Sequence, residues 1–161
     1  MSGRKLYDYL VRALLIIATL ALILMATIIA VNILGRSLFG KPILGTIEIA
    51  GLAGVVFASI AVPFVEKERR NVFMEVLVTK FPPRMKAFTD AFVLLVSLGV
   101  IGVLTWAMFR ESNYSASYTE VTTVMRIPVA PFKYIWSVGA ALLSAVLLWN
   151  IIESLRKGFK R

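Results

Sequence analysis

Residues 13–35, ALLIIATLALILMATIIAVNILG, form an unbroken stretch without Asp, Glu, Lys or Arg. A helix needs about 20 such residues to cross a hydrocarbon core of about 30 Å, so this run is long enough for one passage. Within the hydrocarbon every backbone amide must find a partner in the protein, which leaves only helices and closed barrels as spanning structures. Barrel strands alternate apolar and polar residues, whereas this run is apolar on every face. The stretch is predicted to be a transmembrane helix.

Three further uncharged runs follow, at 49–65, 91–109 and 134–152. The second is the shortest and reaches spanning length when Glu48 or Glu66 lies at headgroup depth. The chain is therefore read as one all-α integral membrane domain, 1–161, with four transmembrane helices at about 13–35, 47–65, 87–109 and 132–152. The other reading of the first run is a cleavable secretory signal, but an apolar signal core spans only about 7 to 15 residues, so a retained first helix is expected.

The flanking charges set an orientation. Arg4, Lys5 and Arg12 precede the first run. Lys67, Arg69, Arg70, Lys80, Arg84 and Lys86 lie between the second and third, and Arg156, Lys157, Lys160 and Arg161 follow the fourth. Only Arg36, Lys41, Arg110, Arg126 and Lys133 belong to the opposite side, so 13 of the 18 basic residues share one side. Basic loops are retained in the cytoplasm, which predicts that both termini are cytoplasmic. The net charge of +9 is then an orientation signal and an attraction to anionic headgroups. Nucleic-acid binding is not expected, since no basic patch is interleaved with stacking aromatics. With neither Cys nor His in the chain, disulfides, thiol chemistry and the commonest metal and haem ligands are absent. No cofactor is expected.

The connections differ in character. Residues 36–47 contain Ser37, Gly40, Lys41, Pro42, Gly45 and Thr46, a composition suited to a short external turn. In the second connection Asn71, Glu75 and Thr79 recur every four residues opposite Val72, Phe73, Val76 and Leu77. That pattern predicts a short amphipathic helix at about 71–80 lying in the cytoplasmic interface, stopped by Pro82 and Pro83. The cluster around Lys67, Arg69 and Arg70 is a candidate contact for lipid headgroups. The third connection, residues 111–131, is rich in hydroxyl and aromatic side chains. Tyr114, Tyr118 and Arg126 are its candidate partner contacts, the alternative being a solvated loop. Trp106, Phe109, Tyr134 and Trp136 mark the external interface, and Tyr7, Tyr9, Trp149 and Phe159 the internal one.

No charged residue falls at mid-span, where one would be a functional candidate by default. Arg36 and Glu48 lie nearest, at similar external depth, and read as an ion pair fixing the first hairpin. The alternative is a transport or proton site. Small residues form two rows at helical spacing, Ala50, Gly54 and Ala58, then Ser137, Ala141 and Ala145. Such rows pack helices closely, either within the chain or against another membrane subunit.

The order of these features resembles the DctQ-type small membrane subunit of tripartite ATP-independent periplasmic (TRAP) transporters. The resemblance runs through residues 32–48, NILGRSLFGKPILGTIE, then Asn71-Val72 after the basic loop, Pro82-Pro83 and Arg126-Ile127-Pro128. Residues 36–48 are its most specific part. One departure is Asn71, where members of the family commonly carry His. The resemblance implies a scaffold subunit of a sodium-coupled transporter in a bacterial inner membrane. Its partners would be a large multi-span subunit, which carries the substrate and sodium sites, and a periplasmic protein delivering an organic acid. A C4-dicarboxylate and a sialic acid are both compatible. The loop from Tyr114 to Arg126 would contact the delivery protein.

A second reading is a stand-alone four-helix multidrug exporter driven by protons, with Glu48 as its essential carboxylate. Such exporters often have balanced loops and pair as opposed copies, whereas this chain is strongly biased to one orientation. A membrane enzyme is disfavoured by the lack of His, Cys, clustered Asp or a Gly-rich phosphate loop.

Overall fold

The computed structural model describes residues 2–67 and 83–159. Every regular element among them is helical: α1 (Ser2–Phe39), α2 (Thr46–Lys67), α3 (Pro83–Ser117) and α4 (Ala130–Phe159). Each contains a stretch long and apolar enough to cross a membrane, Val11–Phe39, Thr46–Lys67, Phe92–Ser117 and Ala130–Glu153 respectively. The expected interfacial helix at 71–80, with Arg69 and Arg70, lies outside the described residues.

The helices outrun their uncharged cores. At 38 residues α1 is about 57 Å long, well beyond a hydrocarbon core of about 30 Å. Helix α3 also continues through Glu111 to Ser117, part of what the sequence suggested was loop. Ser112 and Ser115 explain the extension, because both are fully buried and Ser112 bonds Ser137 of α4 at 3.1 Å. Polar residues here pack against polar partners, so loss of hydropathy does not end the helix.

Hydroxyls inside the apolar segments are mostly satisfied within their own helix. Thr19, Ser59, Thr105 and Ser144 each donate to the carbonyl four residues back, at 2.6–3.0 Å. This back-bonding lets a Ser or Thr sit in lipid-facing helix without an orphaned donor.

Packing runs α1 against α2, α2 against α4 and α4 against α3. The inner pair α2 and α4 run parallel, while each outer helix is antiparallel to its inner neighbour. The outer helices are consequently less covered: in their most apolar stretches Ala18 of α1 is buried and no residue of α3 is. The start of α1 and the end of α4 fall at one end of the molecule and the α1–α2 and α3–α4 connections at the other, called here the loop end.

The α2/α4 crossing has a specific cause. Pro63 has no N–H, so the carbonyl of Ser59 lacks its usual donor four residues on. That carbonyl faces Gly139, where an added Cβ would fall 2.5 Å from the Ser59 oxygen and 2.8 Å from its Cα. Only glycine permits so close an approach. Toward the termini the buried Asn150 donates its Nδ2 to the Glu66 carboxylate at 3.1 Å.

Candidate docking face at the loop end

The first turn is built from residues whose backbone demands suit it. Gly40, with φ 65°, ends α1 by donating its N–H to the Arg36 carbonyl at 3.1 Å. Asn32 reaches from α1 to accept the N–H of Ile43 at 2.8 Å, and Thr46 Oγ1 donates to the Ile43 carbonyl at 2.8 Å. Gly45, at φ 81°, then leads into α2 and lies directly beneath Met125, whose Cγ would be 2.6 Å from an added Cβ. The turn is the seat for a distant loop.

That loop is ordered by its own short hairpin. Val121 and Pro128 form an isolated antiparallel bridge, Thr122 donates its N–H to Ile127 at 2.9 Å, and Val129 donates to Glu120 at 3.0 Å. Thr122 also accepts the Ile127 N–H on its hydroxyl at 3.0 Å. Thr119 and Arg126 both adopt left-handed backbone, at φ 50° and 54°.

Two carboxylate contacts pin the hairpin. At its tip, the Glu48 oxygens accept the N–H groups of Val124 and Met125 at 2.8 and 2.9 Å, one each. At its base, Lys133 Nζ bridges Glu120 at 2.7 Å and Glu111 at 3.0 Å, and donates to Ser115 at 2.6 Å. Ser115 also donates to the same oxygen of Glu120. The hydrogen bonds from Lys133 and Ser115, with the ammonium charge, hold the Glu120 carboxyl below its ordinary pKa despite opposing desolvation. Beside this cluster Tyr134 donates to Asn113 at 2.6 Å, and Phe109 meets the Tyr134 ring edge-on at 6.1 Å.

The sequence candidates separate on this framework. Glu48 is in place at the loop end, yet its partners are the two hairpin amides; among the described residues no ion pair joins it to Arg36. Arg36 is exposed at the end of α1. Tyr114 and Tyr118 stack with centroids 4.5 Å apart and are both exposed, with Arg126 exposed in the hairpin. In the first small-residue row Ala50 is buried, Ala58 is half-buried, and a Cβ added to Gly54 would meet Met25 Sδ of α1 at 3.4 Å. In the second, Ser137 is buried against Ser112, but Ala141 and Ala145 are exposed. Phase explains the difference: the face of α4 that meets α2 carries Gly139, which the row missed. The Ser59–Pro63 pair and an isolated Gly139 were its only sequence signals. Lys67 is exposed at the end of α2.

Among the described residues no three His, Cys, Asp or Glu side chains converge as a metal site requires. The carboxylates of the loop end bind Lys133, Ser115 and backbone amides, an arrangement that shapes a surface. No curated protein matches the chain. Residues 25–157 match the family described as tripartite ATP-independent periplasmic transporters, DctQ component. With four membrane-length helices and a match over most of its length, the chain belongs to that family, a transport component and not an enzyme.

Proposed function

We propose that this chain supports the large transport subunit of a sodium-coupled uptake system for an organic acid anion, and helps seat its substrate-binding protein. On this reading the loop end is periplasmic, both termini are cytoplasmic and the membrane is a bacterial inner membrane. The observation that carries the proposal is the contrast between the two kinds of surface. Few residues in the most apolar stretches of the outer helices α1 and α3 are buried, as suits helices that pack on another membrane protein or on lipid. The loop end is polar, braced at two points and crowned by exposed Tyr114 and Tyr118. Aromatic side chains on a rigid support are favourable anchors for a partner.

Substrate and sodium recognition is assigned to the large subunit. Reconstitution into liposomes under a sodium gradient tests the assignment. Substrate should accumulate when this chain, the large subunit and the loaded binding protein are all present. Accumulation by this chain alone would overturn it.

A further inference from the structure

The loop end shows a one-sided use of charge. Each carboxylate there is engaged inside the chain: Glu48 holds the Val124 and Met125 amides, while Glu111 and Glu120 share Lys133. The remaining cations are in the opposite condition. Arg36, Lys41, Arg110 and Arg126 are exposed, and none forms an ion pair among the described residues. Arg110 lies 5.9 Å over the exposed Trp106 ring on the outer helix α3, where an aromatic and a cation suit the lipid boundary. Lys41 and Arg126 belong elsewhere. Lys41 is in the turn that seats Met125, and Arg126 follows Met125 in the hairpin drawn across the start of α2.

Arg126 carries a second signal. Its φ of 54° is a conformation that L side chains other than Asn and Asp rarely adopt, and glycine would take it freely. The hairpin enforces it, with the Arg126 N–H bonded to the Thr122 carbonyl at 3.2 Å. A long cation at a strained, exposed position that glycine would relieve points to use of the side chain.

We infer that Lys41 and Arg126, flanked by the apolar tip of Val124 and Met125, form a docking face for a carboxylate-rich surface of the soluble substrate-binding protein. The inference rests on the reading that this end meets that protein, and adds the chemistry of the contact. Free cations on a braced surface steer an acidic partner and fix its register. With the local acids already engaged, they meet no competition from the chain itself.

The test uses this chain with its large subunit in nanodiscs of phosphatidylcholine, titrated with the binding protein by interferometry at several salt concentrations. Affinity should fall as salt rises, and R126E and K41E should each weaken it by roughly tenfold. R126G, which relieves the backbone, should keep thermal stability while still weakening binding. R110Q should leave binding unchanged. Binding that is indifferent to salt and to all three loop variants would overturn the inference while leaving the docking role intact. No binding at any salt would overturn the docking role and the inference with it. An effect of R126E confined to nanodiscs containing phosphatidylglycerol would identify a lipid headgroup as the ligand instead, and overturn the inference.

Discussion

Glu48 and Met125, 77 positions apart, are joined where the carboxylate accepts the Met125 N–H at 2.9 Å while its other oxygen accepts that of Val124. A first-turn residue of α2 thereby holds the tip of the α3–α4 hairpin. Glu48→Ala removes both acceptors, so amide exchange at Val124, Met125 and Arg126 should rise several-fold while exchange within the helices is unchanged. Glu48→Gln keeps one acceptor and should fall between. Unchanged hairpin exchange in the Ala variant would remove Glu48 from this role.

Gly45 answers to the same loop from below, through its φ of 81° and its contact with Met125. Gly45→Ala should cost about 1–2 kcal/mol from the left-handed backbone alone. The Met125 side chain can move aside, so pairing the change with Met125→Ala should recover the steric part and leave the backbone part. A double-mutant cycle of thermal unfolding in detergent separates the two.

Where α2 crosses α4, the clash is with backbone and has no such escape. Gly139→Ala should destabilise the chain by about 1–3 kcal/mol, because Ser59 cannot withdraw without moving its helix. Gly99 and Gly102 of α3 have open space around them, so alanine there should stabilise the isolated chain by up to about 1 kcal/mol. Equal responses at the three glycines would refute the close crossing.

At the hairpin base the pH dependence has a definite sign. The Glu120 carboxyl is held below its ordinary value by Lys133 and Ser115, so its contribution is fully present above about pH 4.5. It disappears as pH falls through the lowered value. Melting curves from pH 7 to 3 should show the wild type losing stability relative to Glu120→Gln only below about pH 4.5. A difference that closes nearer neutrality would point to another group.

The four spans were legible because length and apolarity are properties of contiguous residues, and residues 13–35 display both without help from any neighbour. The ends of α3 and the partners of Glu48 were not. Helix α3 continues past Arg110 because Ser112 and Ser115 find Ser137 and Lys133 on another helix, which hydropathy does not encode. Arg36 was matched to Glu48 by similar depth at the two ends of the first hairpin, while the hairpin amides that hold its carboxylate lie 76 and 77 positions away. Small residues were recognised as packing residues, yet which of them face a helix depends on rotational phase. Gly139 opposite Ser59 becomes meaningful only once Pro63 is seen to have freed that carbonyl.

The parallel packing of α2 and α4 has a mechanical consequence. Glu48 with Met125, Ser59 with Gly139 and Glu66 with Asn150 are rivets at the top, middle and bottom of one seam between two helical hairpins. A load applied to the outer flank of α1 reaches α3 by passing through that seam, so its stiffness decides whether the two halves yield separately or move as one plate.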